Sequence, residues 1–322
     1  MLKIKIEKRR ICMRIFVLFI VLLGSQTVLA ADASEKSAGK NLLIIADMEG
    51  TMGIADKTLF DGDSEVWSSY GRRLLTEEVN MAAIGGIKAG AEKIYFCDAH
   101  NSGRNTDERF LKHFVIKLPP HSCNSNMHGL DTVKSIYQTY GIAAVAMVGY
   151  HAMVANIKGF APHSVDGYRF KSFKINDKDV GEIALIAGVA GYFDIPVVAV
   201  SGDKEAAEEA KNFLKGVYTA GTKEKLPDGR VALQKLDDAG VAVFKAVYDG
   251  FKNRDKIVPL KLKAPFRFEL EVKDQKNIAK LAIPSKIKKE GLKFSWTDQD
   301  YLFAWNTFWS FYLDMMLSDV ET

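Results

Sequence analysis

The chain has 322 residues, of which 48% are hydrophobic and 26% charged, which is enough to bury a large core in one big domain or two lobes. Its 44 basic and 40 acidic residues give a net charge of +4, but residues 1–30 hold six of the basic residues and one acidic residue. The remainder has 38 basic and 39 acidic residues, a net charge of −1, and therefore offers no electrostatic case for binding nucleic acid or an acidic membrane.

The first 30 residues have the features of a secretory signal peptide. A basic segment precedes an apolar run from Ile15 to Leu23, and small residues follow up to Ala30. The apolar run is too short to predict a membrane span. We therefore expect cleavage near Ala30, a flexible lead-in over residues 31–40, and an exported protein, periplasmic or secreted, with no stable membrane span after processing.

The first predicted strand, Leu42 to Ala46, is a short apolar run of the kind that is buried on both faces of a parallel sheet. Asp47 and Glu49 follow it directly. Residues i and i+2 of an extended chain point the same way, so both carboxylates can reach one spot. Taken alone, such a pair is more simply interpreted as a solvated turn cap, because buried carboxylates need a partner or a cation.

Two further predicted strands also end at candidate ligands. The strand at 93–97 is followed within three residues by His100, and the strand at 143–148 is followed by His151. Helical patterns separate the three strands, an alternation typical of a parallel α/β sheet. Because ligand sites in such sheets form at the carboxyl edge, we expect both histidines to lie beside the carboxylates that follow the first strand.

The remaining segments predict a fourth strand at 196–200 and a change of character near 222–229. We take this change as the boundary between an α/β, parallel-sheet metal-binding catalytic domain at 41–222 and a smaller α+β C-terminal lobe at 223–322. The pattern in that lobe predicts a helix over 231–248, strands at 266–272 and 292–296, and a final aromatic helix capped by Asp298.

The candidate ligands form a set that suits a divalent metal. They are Asp47, Glu49, His100, His151 and Glu182. Two imidazoles and three carboxylates suit zinc, and a mixed set of this kind also suits manganese or cobalt. A catalytic zinc usually takes three protein ligands, so five can hold two ions if one carboxylate bridges. Two metal ions can activate water and stabilise charge on a carbonyl substrate, which indicates hydrolysis.

Two other features have more than one interpretation. His163 lies in a Pro/Ser loop, where a histidine alone is a surface residue, but beside a metal site it can shuttle a proton or stabilise an oxyanion. Cys97 and Cys123 are the cysteines that remain after the leader, and they can pair in an oxidising compartment. Cys97 also ends a predicted buried strand, so the pairing stays open.

The motifs that carry these residues resemble those of the M55 family of zinc D-aminopeptidases, typified by a dipeptide-operon protein. The matching motifs run in the same order from about Leu42 to Asp203, with a weaker match in the C-terminal lobe. They are Asp47-Met48-Glu49-Gly50, Thr76-Glu77-Glu78, Asp98-Ala99-His100, Gly149-Tyr150-His151-Ala152, His163-Ser164, Ile175-Asn176-Asp177, Val180-Gly181-Glu182 and Ala190-Gly191-Tyr192. Each motif is short, but eight in order are specific.

The resemblance implies a two-zinc site in which Asp47 bridges and the other four ligands complete the two coordination spheres, with His163 as the active-site histidine. It also implies release of N-terminal D-amino acids from short peptides, such as D-alanyl peptides, and a homo-oligomer, which in the type member is a decameric ring. There are two departures from the family. This chain has a predicted export signal, whereas the type member is cytoplasmic. Residues 104–126 and the C-terminal lobe match poorly, and because these regions can shape the substrate pocket and the ring, stereochemistry and oligomeric state transfer less securely than the metal site.

We therefore expect an exported two-zinc aminopeptidase that acts by metal-activated water on N-terminal D-amino acids. One alternative is a metal-dependent amidase or esterase acting on cell-envelope fragments. Another is a non-catalytic exported peptide-binding protein, which the retention of all six site residues disfavours. Dinucleotide binding is disfavoured because no G-x-G-x-x-G motif follows the first strand.

Overall fold

The computed structural model describes residues 39–62, 64–278 and 281–318, so the predicted leader and residues 31–38 of the lead-in lie outside it. The strands of this part of the chain are β1 Asn41–Ala46, β2 Ile94–Asp98, β3 Val115–Lys117, β4 Ile142–Tyr150, β5 Phe170–Ile175, β6 Lys178–Asp179, β7 Val197–Asp203, β8 Tyr218–Lys225, β9 Val231–Leu233, β10 Phe266–Val272, β11 Lys288–Glu290 and β12 Lys293–Asp298. Its α-helices are α1 Arg72–Lys88, α2 Leu130–Thr139, α3 Glu182–Tyr192, α4 Lys204–Phe213, α5 Leu236–Lys252 and α6 Tyr301–Ser318. None of these helices is long and apolar enough to cross a lipid bilayer.

The first sheet has seven strands in the order β3-β2-β1-β4-β7-β8-β9. All neighbours in it run parallel except β8 and β9, which confirms the predicted α/β fold. β1 lies between β2 and β4, with Ala46 in register with Asp98 on one side and Val148 on the other. The three strands therefore end side by side, and the residues that follow them share one edge of the sheet.

Helices cover both faces of this sheet, which explains why β1 is apolar throughout rather than alternating. Leu43 and Ile45 point into one core, which they share with α2, α3 and α4. Leu42 and Ile44 point into the other, where α1 and α5 pack against each other. All four side chains are fully buried.

The second sheet is antiparallel and has the order β11-β12-β10-β5-β6. β10 shows the alternating burial that its sequence predicts. α6 packs against this sheet and against α3, and its buried aromatic side chains belong to the core between them. Phe308 on α6 lies 4.7 Å from Phe173 on β5, measured between ring centroids.

Three details differ from the sequence-based prediction. Residues 231–233 form β9 along the edge of β8 instead of starting a helix, because backbone pairing outweighs the local helical pattern. The carboxylate that caps α6 belongs to Asp300, which accepts from the Phe303 amide, and not to Asp298. The predicted boundary at 222/223 falls inside β8, and the second sheet takes strands from both sides of it, so the two-lobe division stays a prediction.

Candidate metal centre

The chain leaves β1 at Asp47 and turns sharply against the end of β4. The Gly50 amide donates to the Gly149 carbonyl over 2.8 Å, so the two loops are in direct backbone contact. Glycine is required at both positions. A Cβ on Gly50 would lie 1.7 Å from the Tyr150 carbonyl oxygen, and one on Gly149, where φ is +73°, would lie 2.1 Å from the Asp47 carbonyl oxygen. This close approach brings the ligands that follow β1 and β4 together.

His100, which follows β2, contacts both carboxylates of the β1 loop. Its Nδ1 atom lies 2.9 Å from Asp47 Oδ1 and 3.1 Å from Glu49 Oε2. On the opposite side of the ring, Nε2 is 3.1 Å from the Phe60 carbonyl oxygen, which can only accept, so Nε2 carries a proton. The ring is thereby oriented with Nδ1 towards the carboxylates.

His151, which follows β4, is oriented in the same way. Its Nδ1 atom lies 3.0 Å from the Ala152 carbonyl oxygen, so Nδ1 is the donor. Its Nε2 atom lies 3.3 Å from both Asp47 Oδ2 and Glu182 Oε1. Glu182 is the first residue of α3, and its Oε1 atom also accepts from the Val165 amide over 2.8 Å. The Asp47 carboxylate thus has one oxygen beside each histidine.

His163 completes the cluster from the loop between β4 and β5. Its Nδ1 atom is 2.9 Å from the Ala161 carbonyl oxygen, so Nε2 is again the atom that faces the carboxylates. Nε2 lies 3.9 Å from Glu49 Oε1 and 3.8 Å from Glu182 Oε1. All six site residues named from the sequence therefore lie in one cluster, although their individual roles remain predictions.

The charges of the cluster compensate one another. Burial raises the pKa of Glu49, but the imidazoles of His100, His163 and His151 outweigh it and hold this pKa well below its usual value. Burial lowers the pKa of His100, but the carboxylates of Glu49 and Asp47 raise it well above the ordinary value. The same balance, with Glu182 and Asp47, raises the pKa of His151. Because metal ligands must lose their protons, a bound cation would replace these imidazolium charges.

The donor set fits divalent metal ions. Asp47 Oδ2, Glu49 Oε2 and His151 Nε2 are buried and make only ion-pair contacts of 3.1–3.3 Å, without a well-aligned hydrogen bond from any described residue, so a cation can bind them without displacing one. Ligand atoms of Asp47, Glu49 and His151 lie within 4.8 Å of one another, and so do those of His151, His163 and Glu182. Each histidine also donates its other ring nitrogen to a backbone carbonyl, the usual arrangement around a bound metal.

Several residues around the cluster could not be assigned a role from the sequence. Phe60 and Phe160 meet edge to face at 6.2 Å beside His100. Glu78 and Lys223 are buried behind the ligand loops. Of these four residues, Glu78 alone lies in one of the motifs that match the family. The other three lie in no motif that would have pointed to the site.

Comparison with known proteins places the chain among related sequences. The family model of the M55 peptidases (Peptidase_M55, described as D-aminopeptidase) matches residues 41–310. A D-aminopeptidase of Bacillus subtilis (strain 168) is 31% identical over 221 residues, which cover 68% of this chain and 76% of that protein.

The fold also matches a solved structure. It is the zinc-dependent D-aminopeptidase DppA from Bacillus subtilis, described as a self-compartmentalizing protease, and it superposes with a TM-score of 0.75. The superposition covers 85% of this chain and 98% of DppA, at 24% identity. The sequence match extends past the region of the eight motifs into the second sheet and α6.

Proposed function

This chain belongs to the M55 family of D-aminopeptidases, and on that premise we propose that it is a metal-dependent aminopeptidase that releases N-terminal D-amino acids from short peptides. The observation that carries the proposal is the cluster of three imidazoles and three carboxylates at the carboxyl edge of the first sheet. Within it, the buried Asp47 Oδ2 and His151 Nε2 atoms lie 3.3 Å apart as an ion pair, and neither receives a well-aligned hydrogen bond from the described part of the chain.

The proposed cofactors are two divalent ions, with zinc as the first candidate because DppA is described as zinc-dependent. Asp47 would bridge them, since one of its oxygens lies beside His100 and the other beside His151. Glu49 and His100 would hold one ion, and His151 and Glu182 the other. When bound, such ions polarise the scissile carbonyl and activate the attacking water.

His163 is proposed as the residue that moves the proton. Its Nδ1–H is committed to the Ala161 carbonyl, so Nε2 carries the lone pair that faces the site. Nε2 can accept a proton from the attacking water and deliver it to the amine of the leaving peptide. The backbone on either side of it has positive φ at Ala161 (49°) and Val165 (64°), and the Val165 amide is held by Glu182. This strained loop fixes the ring in place.

The proposed substrates are short peptides that begin with a small D-residue such as D-alanine. Phe60 lies 6.3 Å from His100 and 6.2 Å from Phe160, measured between ring centroids. These two rings form an apolar wall beside the ligands, and such a wall suits a methyl side chain better than a charged one.

Export is proposed from the leader segment, and the Cys97–Cys123 disulfide, both of whose cysteines are buried, supports it. Disulfides persist in oxidising compartments such as the periplasm. A homo-oligomer, with a decameric ring as the specific hypothesis, is proposed because DppA is described as self-compartmentalizing.

The deciding experiment measures amino-acid release from D-Ala-D-Ala and L-Ala-L-Ala, before chelation and after zinc is restored. Cleavage of the D-peptide alone, lost on chelation and regained with zinc, is the expected result. Cleavage of both peptides would leave a metallopeptidase without D-specificity. If the folded, zinc-loaded protein cleaves neither peptide, two alternatives remain. Turnover of envelope-derived amides or esters would make it an amidase or esterase, and binding of peptide without turnover would make it a binding protein.

A further inference from the structure

Glu78, in the middle of α1, is a fully buried carboxylate that contacts both ligand loops. Its Oε2 atom accepts from the Met52 amide over 2.6 Å, and its Oε1 atom accepts from the Gly149 amide over 3.2 Å. Met52 lies three residues after Glu49, and Gly149 lies two residues before His151. The Ser201 hydroxyl, at the end of β7, also donates to Oε1. Glu78 therefore joins the ends of three strands.

Lys223, on β8, is a buried ammonium that holds the β1 loop through its carbonyl groups. Its Nζ atom donates to the Thr51 carbonyl over 2.9 Å, to the Ile54 carbonyl over 2.7 Å and to the Glu49 carbonyl itself. Three acceptors use all three protons of an ammonium group. The same nitrogen lies 4.7 Å from the centroid of the Phe160 ring, so it also supports the loop that carries His163.

Glu78 and Lys223 both bind the backbone of residues 49–54, one through an amide and the other through carbonyl groups. Within residues 49–54, the ammonium of Lys223 binds carbonyl oxygens and the carboxylate of Glu78 binds an amide. Burial raises the pKa of Glu78 and lowers the pKa of Lys223 to about 7, and the attraction between their opposite charges counteracts part of both shifts. Charges this deeply buried usually give less stability than apolar side chains of equal volume. Their presence directly behind the ligands therefore points to a role in geometry.

We propose that Glu78 and Lys223 are positioning residues that set the separation of the β1 and β4 ligand loops, and hence the geometry in which Asp47, Glu49 and His151 bind metal. Neither touches substrate. The inference rests on the proposed metal-dependent function, but it concerns metal affinity and can be tested without any substrate.

The first variants are Glu78→Gln and Lys223→Met. Glutamine keeps the volume of Glu78 but replaces one acceptor oxygen by an NH₂ group, so one of the two loop amides loses its partner. Methionine keeps the stem of Lys223 and leaves the Glu49 and Ile54 carbonyls without a donor, while the Thr51 carbonyl keeps only the Ile54 amide. Matched controls are Glu77→Gln and Lys225→Met, since Glu77 is exposed on the same helix and Lys225 is exposed on the same strand.

The measurements are the dissociation constant for Zn²⁺ by competition with a chromophoric chelator, the visible absorption spectrum of the Co²⁺-loaded protein, and the unfolding midpoint of the metal-free protein. We expect each single variant to bind Zn²⁺ about 10- to 100-fold more weakly and to show an altered Co²⁺ spectrum, with both controls unchanged. Unchanged affinity and spectrum, together with a lowered midpoint, would mean a purely structural role and would overturn the proposal.

The double variant Glu78→Gln/Lys223→Met separates positioning from charge compensation. Because it leaves no unpaired buried charge, it also serves as the test if a single variant fails to fold. We expect it to recover the unfolding midpoint but not the metal affinity or the Co²⁺ spectrum. Recovery of all three would show that the pair only balances charge. If the unaltered protein binds zinc but cleaves no D-peptide, the proposed function fails while these affinities still decide the role of the two residues.

Discussion

His163 is stacked face to face on His151, with ring centroids 3.8 Å apart and ring planes within 9° of parallel. The contact joins a histidine from the end of β4 to one from the following loop, and it holds the His163 ring beside Glu49 and Glu182. The loop is further secured because the His163 amide donates to the Ala152 carbonyl over 3.1 Å. His163 is thus placed next to the candidate ligands, but its Nε2 atom lies 3.8 Å from Glu182 Oε1, whereas His151 Nε2 lies 3.3 Å from the same oxygen.

The substitution His163→Gln tests whether this residue moves protons or binds metal. We expect kcat to fall by about 100-fold or more, because an amide cannot exchange a proton at neutral pH, while Zn²⁺ affinity changes by less than about tenfold. Steady-state kinetics and chelator competition measure the two quantities. His113→Gln, at an exposed histidine, is the control. Loss of one zinc per chain would instead make His163 a ligand.

The substitution Asp47→Asn tests the bridging role of that carboxylate. Asparagine preserves the volume and can still accept from the Met48 amide, which lies 2.8 Å from Oδ1. We expect zinc bound per chain, measured by elemental analysis after dialysis, to fall from the proposed two ions to one or none, because a neutral amide is a poor bridging ligand. Asp56→Asn, at an exposed carboxylate, should leave the metal content unchanged. Full retention of two ions would remove Asp47 from the bridging position.

The contact between the β1 and β4 loops makes Gly149 sensitive to a single added methyl group. Gly149→Ala would place a Cβ 2.1 Å from the Asp47 carbonyl oxygen, so we expect a loss of about 3 kcal/mol or more in unfolding free energy, together with weaker zinc binding. Gly90→Ala is the matched control, because Gly90 also has positive φ, +99°, but a Cβ there meets nothing within 4 Å. The Gly90→Ala variant should lose about 1 kcal/mol of unfolding free energy. Equal losses by denaturant unfolding would argue against the close contact.

The disulfide between Cys97 and Cys123 closes a loop of 26 residues that includes His100. The double substitution Cys97→Ser/Cys123→Ser is expected to lower the unfolding free energy by about 3 kcal/mol, and reductant should lower the stability of the unaltered protein but not that of the variant. Thiol titration of the denatured protein, without and with reductant, checks the pairing independently. Two reactive thiols before reduction would mean that the disulfide does not form.

Glu209 on α4 predicts a pH dependence of stability. Burial raises its pKa from 4.5 to about 7, against the effect of the Met153 amide, which donates to Oε2. Between these values the unfolded chain has lost the proton that the native protein keeps, so stability falls as pH rises from 4.5 to 7, by about 3 kcal/mol.

Glu209→Gln should remove this loss and raise the unfolding midpoint of the chelated protein at pH 8 much more than at pH 5. The neighbouring exposed Glu208→Gln serves as the control. Thermal unfolding at the two pH values measures the difference, and an equal effect of Glu209→Gln at both would contradict the shifted pKa.

Local patterns were sufficient to predict the strands that carry the ligands. β1, β2 and β4 are contiguous apolar runs, and their candidate ligands follow within a few residues. One short stretch of sequence is therefore enough to predict both the strand and the position of its ligand. The parallel arrangement then follows from the alternation with helices, and the shared edge follows from the parallel arrangement.

The sequence by itself therefore determined the α/β fold, the family and the set of six residues that meet at the sheet edge. The tertiary structure alone decided that Cys97 and Cys123 pair and that β5 joins strands from the C-terminal region. It also decided the buried positions of Glu78 and Lys223, whose residue types are normally found exposed. These features depend on contacts between segments that are far apart in the chain. Such contacts are set by tertiary packing and by hydrogen bonds from buried side chains to the loop backbone, and neither can be read from local sequence patterns.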